Sequence, residues 1–463
     1  MWLKKIVNMA AKGTGLCTIV ATVPTGLEKG AAEECKQVLG RGDVVSERGK
    51  IIFQLHCLEE LAKVDELRSI ENFSVLVKDI PDWCKDESSA LERLFNLPSD
   101  ASIDWSTPLS VWRHYQRLLS ATNTSASTTH IDRDVNDTRI NSSQNDQGDS
   151  RVNEAISDPN SPSVAQAEVH QSDTTQDALK ELEAAIESTM LSPRDHVSSS
   201  PPIGDSTAFR VTCVRGGRKH VFSSMEAAGR LGAGLEKRFG WKVLMKNYDI
   251  EVLLNIRGDG AKIFIALSQE SKSKRNITHF GPTTLKSVIA YGMLRLANIR
   301  PGEVVLDPLC GGGSISIEGS LAWPSTYHLL GDNHEQAAPR AMANCTDLRS
   351  SGAGSGLKMD ILQWDVQSLP LRTACVDVVV TDLPFGKKSG RKVDNRVLYP
   401  LALEELGRVC KPTTSRAVLL THDNKSLSKA LLRTSFWKRQ VTKWINIGGL
   451  KAAVYILHRT GDL

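Results

Sequence analysis

The spacing of apolar residues changes character several times along this chain. Before residue 117 it predicts a strand, a helix, two short strands, a second helix and a further strand. These elements fall at residues 17–23, 27–38, around 44, 51–55, 58–67 and 73–77. Their β-α-β-β-α-β order is that of a ferredoxin-like fold, which we expect over residues 17–116.

Between residues 117 and 206 the periodic pattern disappears. This stretch contains no Phe, Tyr or Trp and is rich in Ser, Thr, Asn and Asp. It cannot bury enough apolar surface to offset the entropy of ordering. We therefore predict a disordered acidic insertion, with one short helix at residues 178–190 that Asp177 caps.

A second small α+β unit follows the insertion, over residues 207–270. The pattern predicts a strand, an amphipathic helix and two further strands, at residues 209–214, 225–239, 250–256 and 262–267. Gly258-Asp259-Gly260 separates the last two strands. Because glycine adopts the positive φ angles of tight turns, this tripeptide predicts a hairpin.

From residue 271 to residue 463, buried strands alternate with helices. A helix ends near Leu296, and strands are predicted at residues 303–307, 327–331, 359–364, 376–381 and 417–421. Such alternation is typical of a parallel, doubly wound α/β sheet. Residues 438–447 and 451–458, joined by Gly448-Gly449, add a hairpin at one edge. An antiparallel terminal strand distinguishes the Rossmann-like class I methyltransferase sheet from a dinucleotide-binding one.

Composition adds a charge asymmetry to this division. The chain holds 57 Lys and Arg against 53 acids, but residues 119–205 alone hold 15 acids and 5 bases. The remainder therefore carries 52 bases against 38 acids, which suits a polyanionic partner or simply a basic surface. No apolar run reaches the roughly 20 residues that cross a bilayer, so we expect no membrane span.

The nine cysteines are odd in number, widely spaced and without a CxxC pair. This pattern favours neither a disulfide framework nor a zinc site, and we expect no bound metal. A reducing compartment fits the free thiols, and we expect the protein in the cytoplasm, with the nucleus as an additional location.

A glycine-rich turn follows the first strand of the α/β region. Asp307 ends that strand and Gly311-Gly312-Gly313 lead into the next helix, which lets a cofactor approach the backbone closely. A carboxylate at Asp307 would repel a pyrophosphate but attract S-adenosylmethionine, whose net charge is positive. No G-x-x-x-x-G-K-[S/T] sequence is present. We therefore expect S-adenosylmethionine as cofactor, held by Asp307, Gly311 and Gly313.

Two more acids end the next two strands. Asp332 lies where an acid accepts hydrogen bonds from ribose hydroxyls, and Asp365, with Val366 beside it, is placed to accept from an adenine amino group. For each acid singly, the alternative is a helix N-cap. Together with Asp307 they line one rim of the sheet, where ligands bind in open α/β folds.

The fourth strand ends in Asp382-Leu383-Pro384-Phe385, which we call the DLPF loop. The lone pair of an exocyclic base amine is delocalised into the ring, so a methyltransferase must orient it. Asp382 and the main-chain carbonyl of Leu383 or Pro384 are placed to accept the two amine hydrogens, and Phe385 to stack on the base. A plain Pro-Gly turn is the alternative reading. Two basic residues that follow are candidates for phosphate contact: Lys387 and Lys388.

The glycine turn, the DLPF loop and the sequence RNITHFGPTTL from Arg275 together resemble the THUMP-containing RNA methyltransferases. The resemblance covers nearly the whole chain except the insertion. It implies a THUMP domain at residues 207–270 and methylation of guanine N2 in tRNA, at position 6 of the acceptor stem. It also implies that the residues before 271 dock the tRNA 3′ end and that Thr283 and Thr284 contact the amino-acid end of the cofactor.

The resemblance further implies a small zinc-binding activating subunit as partner. Leu383 replaces the first proline of the common family motif, and Gly312 stands where relatives often have Thr or Ser, which leaves the choice of base open. Candidate RNA contacts in or beside the THUMP region are Arg210, Arg215, Arg218, Lys219, Lys272, Lys274 and Arg275. A solvated charged face is the alternative for each. Two other functions stay open: adenine-N6 methylation of RNA or DNA, and a non-catalytic RNA-binding subunit.

Overall fold

The computed structural model of the protein describes residues 15–83, 89–128, 207–217, 220–386 and 392–462. The helix predicted at residues 178–190 lies outside these ranges. Within them, no helix is long and apolar enough to cross a membrane.

The first part of the chain has the predicted element order. Its elements are β1 (Cys17–Thr22), α1 (Glu28–Leu39), β2 (Val45–Glu47), β3 (Lys50–Leu55), α2 (Glu60–Asp65) and β4 (Phe73–Ile80). Strand β1 lies between β3 and β4 and is antiparallel to both, which completes the ferredoxin-like arrangement. Two further helices follow that the sequence pattern did not indicate, α3 (Ala90–Asn96) and α4 (Ser106–Thr128).

Helix α4 corrects one predicted boundary. The expected start of the insertion at residue 117 falls inside this helix. Leu118 and Leu119 pack against the hydrophobic core, which explains why the chain remains helical beyond Gln116. The boundary was predicted from the lack of aromatic residues, which does not detect core contacts made by leucines.

The residues after the insertion complete the same sheet. They form β5 (Ala208–Gly216), α5 (Ser224–Phe239), β6 (Lys242–Val243), β7 (Ile250–Arg257) and β8 (Gly260–Ala266). Strand β8 pairs antiparallel with β4, so one eight-stranded sheet runs in the order β2-β3-β1-β4-β8-β7-β5-β6. The two units that the insertion separates in sequence therefore satisfy each other's sheet edges.

The second sheet begins after a connecting segment that contains a 3-10 turn, Lys272–Lys274. Its elements are α6 (Ser287–Leu296), β9 (Val304–Asp307), α7 (Ser314–Ala322), β10 (Tyr327–Asp332), α8 (Ala337–Ser350), β11 (Met359–Gln363), β12 (Val378–Asp382), α9 (Lys392–Val409), β13 (Arg416–Thr421), α10 (Asn424–Leu431), β14 (Trp437–Ile447) and β15 (Leu450–Arg459). The strand order is β11-β10-β9-β12-β13-β15-β14. Strand β15 is antiparallel to β13, and this confirms the predicted class I methyltransferase sheet.

One hydrophobic cluster spans both sheets. It includes Ile19 and Phe53 from the first part, Ile263 from β8, and Ile289 and Val380 from the second sheet. Asn446 N donates to Thr25 O at 3.1 Å, a backbone contact that joins β14 to the loop after β1. The parts of the chain thus share one core, which fixes the first sheet against the second.

Candidate active site

The carboxyl ends of β10, β9 and β12 lie side by side and bring three acids together. Asp307 is 1% exposed, and Asp332 and Asp382 are partly buried. Because parallel strands end at the same edge, the acids predicted from three separate motifs form one cluster.

Asp307 lies at the centre of this cluster. Thr381 Oγ1 donates to its Oδ1 at 2.7 Å, whereas its buried Oδ2 accepts no hydrogen bond from the described residues. Burial raises the pKa of Asp307 well above its ordinary value, and the nearby negative charge of Asp382 raises it further. An unsatisfied buried carboxylate oxygen is costly, so this position calls for a cationic or donor group from a ligand.

The glycine turn is held against Asp332. Gly311 N donates to Asp332 Oδ2 at 3.0 Å, and His334 N donates to Oδ1 at 2.9 Å. Gly313 has a φ of 84°, and a Cβ there would lie 3.2 Å from the Ala341 side chain. Both its conformation and its close packing therefore require glycine.

Asn344 is a positioning residue that the sequence did not reveal. It lies fully buried on α8. Its Nδ2 donates to Gly312 O at 2.9 Å and to His279 O at 3.1 Å. Its Oδ1 accepts from Thr278 N at 2.9 Å and from His279 N at 2.7 Å. One amide thereby joins the glycine turn to the segment before α6, a connection that no local sequence pattern shows.

The predicted threonine pair lies in that segment. Thr284 Oγ1 accepts from Gly281 N at 2.7 Å, which closes a local turn, while Thr283 is exposed. An open groove of about 730 Å³ runs between this segment and the start of α8, lined by Phe280 and Arg340 among others. The hydroxyl of Thr284 is thus used within the turn.

Asp365 differs from the other acids. Its Oδ1 accepts from Gln367 N at 2.9 Å, so the carboxylate caps the turn that follows β11. The alternative interpretation expected a helix N-cap, but the described residues from 364 to 377 contain no helix. Val366 is buried beside it. Trp364 Nε1 donates to Pro308 O at 3.1 Å and joins the end of β11 to the glycine turn. Asp365 therefore lies at the predicted rim, outside the electrostatically coupled cluster.

In the DLPF loop, burial raises the pKa of Asp382 to about 7, and the charge of Asp332 adds to the effect. Pro384 O accepts from Asn395 Nδ2 at 3.0 Å and from Tyr399 OH at 2.6 Å. Leu383 N donates to Leu420 O at 2.8 Å, but within the described residues no group donates to Leu383 O. The sequence left open whether Leu383 O or Pro384 O accepts an amine hydrogen. Within the described residues, only Leu383 O accepts no hydrogen bond from the protein.

Phe385 completes the loop. Its half-buried ring packs against the core, and its centroid lies 6.4 Å from that of His422 at an interplanar angle of 51°. His422 follows β13, so the neighbouring strand supplies one wall beside the loop. The sequence did not indicate His422, Asn395 or Tyr399, because they come from elements 10 to 37 residues further along the chain.

Comparison with known proteins agrees with this geometry. Residues 275–453 match the family model described as RMKL-like, methyltransferase domain, and residues 177–266 match the THUMP domain model. A Bos taurus protein named tRNA (guanine(6)-N(2))-methyltransferase THUMP3 is 40% identical, over 96% of this chain and 88% of the relative. The chain belongs to this THUMP3 family of tRNA guanine-N2 methyltransferases.

The fold of this THUMP3 family member recurs in solved structures. TrmN from Thermus thermophilus superposes with a TM-score of 0.64 at 19% identity, covering 96% of this chain and 99% of TrmN. SMU.472, a methyltransferase complexed with SAH, gives a TM-score of 0.60 at 16% identity, covering 96% and 98%. These similarities cover both sheets.

Four of the residues predicted to bind RNA are engaged inside this family member. Arg275 forms a bidentate pair with Glu318, at 3.0 and 2.8 Å, and Glu318 is 1% exposed. Lys272 Nζ lies 2.9 Å from Asp65 Oδ1. Arg210 pairs with Glu251 at 2.8 Å, and Arg215 donates to Ser224 Oγ at 3.0 Å. Three of these side chains are neutralised by acids, and Arg215 is held by the hydroxyl of Ser224.

Lys274 differs from these four because it is exposed, with its ammonium 5.7 Å from the centroid of the Phe280 ring. The remaining candidates lie outside the described residues: Arg218, Lys219, Lys387 and Lys388. Of the predicted RNA contacts that the structure describes, only Lys274 is exposed to solvent.

Proposed function

We propose that this protein uses S-adenosylmethionine to methylate the N2 amine of a guanine in tRNA. The observation that carries the proposal is the DLPF loop lying beside the buried, unsatisfied carboxylate of Asp307. Membership of the THUMP3 family supports the substrate, since its relatives are named tRNA guanine-N2 methyltransferases.

The acid cluster fits the proposed cofactor. S-adenosylmethionine supplies an electrophilic methyl group on a positively charged sulfur, and its amino-acid end adds an ammonium and a carboxylate. Asp307 and Asp382 resist ionisation in the free protein because they are buried close together. A bound cation favours their charged forms, and Gly311 and Gly313 leave room for its approach. Asp332 is placed to accept from ribose hydroxyls with lone pairs that the backbone leaves free.

Asp382 and Leu383 then orient the target amine. The Asp382 carboxylate accepts one amine hydrogen and the free Leu383 carbonyl accepts the other, which leaves the nitrogen lone pair directed at the methyl group. Asn395 and Tyr399 hold the next carbonyl, that of Pro384, and so fix the loop that presents both acceptors. Phe385 stacks on the base.

We also propose the finer features that the family resemblance implies. The methylated guanine is at position 6 of the acceptor stem, and the first sheet with its helices docks the tRNA 3′ end. The common core that joins the two sheets supports this arrangement, because it fixes the distance between docking and methylation. A fixed distance selects a nucleotide by its separation from the RNA end.

A small zinc-binding subunit is the proposed partner, and strand β11 is its docking edge. Among the described strands it pairs only with β10, so its outer edge is a candidate for strand addition. Leu362 on this strand and Met342 on α8 are exposed beside it. We expect Leu362→Glu to prevent co-purification, while Met225→Glu, an exposed apolar residue of α5, leaves it intact. Full activity of the purified chain alone would contradict the partner requirement.

The central test is methylation of unmodified tRNA with labelled cofactor, with the activating subunit present, followed by mapping of the modified nucleotide. We expect N2-methylguanosine at position 6, and no product from Asp382→Ala, whose RNA affinity stays close to that of the native chain. Formation of N6-methyladenosine would replace the guanine assignment. Equal methylation by Asp382→Ala would refute the role of the DLPF loop.

A further inference from the structure

A strongly basic surface begins next to the DLPF loop. Residues 422–451 contain seven Lys and Arg and one acid, Asp423, which is buried at the start of α10. The seven are Lys425, Lys429, Arg433, Lys438, Arg439, Lys443 and Lys451, which we call the C-terminal basic surface. Six of these side chains are exposed, and Lys443 is partly so.

These charges are not neutralised within the protein. In the part of the chain that the structure describes, no ion pair involves any of the seven. By contrast, Arg210, Lys272, Arg275 and Arg416 each pair with an acid. Seven unpaired positive charges within 30 residues of the chain are the electrostatic footprint of a nucleic-acid site.

A chain of contacts connects this surface to the proposed target site. The Phe385 ring lies beside His422, and His422 Nδ1 is 2.7 Å from Lys451 O. Asn395 Nδ2, which donates to Pro384 O, also donates to Asp423 Oδ2 at 3.3 Å. The start of α10 and the start of β15 therefore adjoin the DLPF loop.

Trp444 adds an aromatic surface to the charges. It is 49% exposed on β14, and the Lys451 ammonium lies 4.5 Å from its ring centroid. The backbone of Trp444 packs closely against Gly26. A Cβ at position 26 would lie 2.1 Å from Trp444 O, so only glycine allows this contact. An exposed, fixed aromatic ring among cations is what binds unpaired bases and sugar edges in RNA-binding proteins.

We propose that the C-terminal basic surface binds the RNA backbone beside the target nucleotide, with Trp444 stacking on an exposed base or sugar. This inference rests on the proposed RNA substrate and adds the surface that holds it at the DLPF loop. Lysines contact phosphates as point charges, while the indole contributes binding that does not depend on charge. The two contributions predict different salt dependences.

The test compares Lys425→Gln/Lys451→Gln with Trp444→Ala in the full chain with its partner. RNA affinity is measured by fluorescence anisotropy of labelled tRNA over a series of salt concentrations. We expect the double variant to bind about 10-fold more weakly and to lower the slope of log affinity against log salt by roughly 1.5. Trp444→Ala should weaken binding about 10-fold with the slope unchanged, and Trp444→Phe should restore most of it.

Arg372→Gln is the matched control, because Arg372 is an exposed base that precedes the amino end of β12, whereas the DLPF loop follows the carboxyl end of that strand. Its affinity and slope should equal those of the native chain. Unchanged RNA binding by the double variant and by Trp444→Ala would overturn the proposal. The same result is expected if this surface docks a protein instead of RNA. Failure of the native chain to methylate tRNA in parallel reactions would instead refute the proposed function.

Discussion

Replacing Asp382 by Asn should make the ligand-free protein more stable while it destroys the activity. Burial raises the pKa of this carboxyl from its ordinary value of 3.8 to about 7. Ionisation of Asp382 above neutral pH therefore lowers the free energy of unfolding. The contribution of such a group to stability is complete below the unfolded pKa and is lost as the pH rises through the folded one. Asparagine keeps the shape of the side chain and removes the charge.

The expected size follows from the two pKa values. At 1.36 kcal/mol per pH unit, the penalty at pH 8 reaches up to about 4 kcal/mol, and at pH 5.5 it is about half of that. Urea unfolding of the ligand-free native chain and of Asp382→Asn at both pH values measures the difference. The variant should be more stable at each pH, with the larger gain at pH 8.

Activity and cofactor binding should move in the opposite direction. Methylation by Asp382→Asn should fall at least about 100-fold, since a carboxylate acceptor is lost from the site. For the native chain, cofactor affinity and rate should both decrease as the pH falls below about 7, where Asp382 takes up a proton. Glu404→Gln, which removes an exposed carboxylate of α9, is the control. Equal stability of Asp382→Asn and the native chain at pH 8 would refute the buried charge.

Four further substitutions test how the site and the elements around it are held. Asn344→Ala should weaken cofactor binding at least about 10-fold and lower the free energy of unfolding by about 2–4 kcal/mol, because four buried or partly buried backbone groups lose their hydrogen-bond partner. Calorimetry measures the cofactor affinity, and urea unfolding measures the stability. Glu318→Ala leaves the partly buried Arg275 unpaired and should cost about 3 kcal/mol, whereas Arg68→Ala should cost under about 1 kcal/mol. Similar losses for the two variants would contradict this ranking. Tyr399→Phe removes the hydrogen bond from the Tyr399 hydroxyl to Pro384 O and should lower kcat, with KM for tRNA nearly unchanged. A change confined to KM would show that Tyr399 does not position the DLPF loop for catalysis.

The sequence predicted the elements of the second sheet well because their periodicity is local. Strands β9, β10 and β12 are short apolar runs with an acid at the end, and Gly448-Gly449 joins the terminal hairpin as expected. The same local rules placed Asp307, Asp332 and Asp382 at one edge, since parallel strands share their carboxyl ends. Helix α4 was not predicted, and its second half was assigned to the insertion because its last core contacts are two leucines in an otherwise polar stretch.

Partnerships between distant residues were beyond the sequence. Arg275 and Lys272 were predicted as RNA contacts because they belong to a basic stretch beside the THUMP region, yet Glu318 and Asp65 neutralise them after folding. Lys451 differs from these two, because the predicted hairpin already brings it near Trp444, and only its contact with His422 brings it close to the DLPF loop.

The sequence by itself predicted the residues to which we assign the methyl-transfer chemistry, because motif, strand and turn lie within ten residues of each other. The tertiary structure alone decided which of two carbonyls stays free, which cations remain unpaired, and that two sheets form one body. Each of those outcomes depends on hydrogen bonds and ion pairs between residues tens to hundreds of positions apart. No local pattern encodes them.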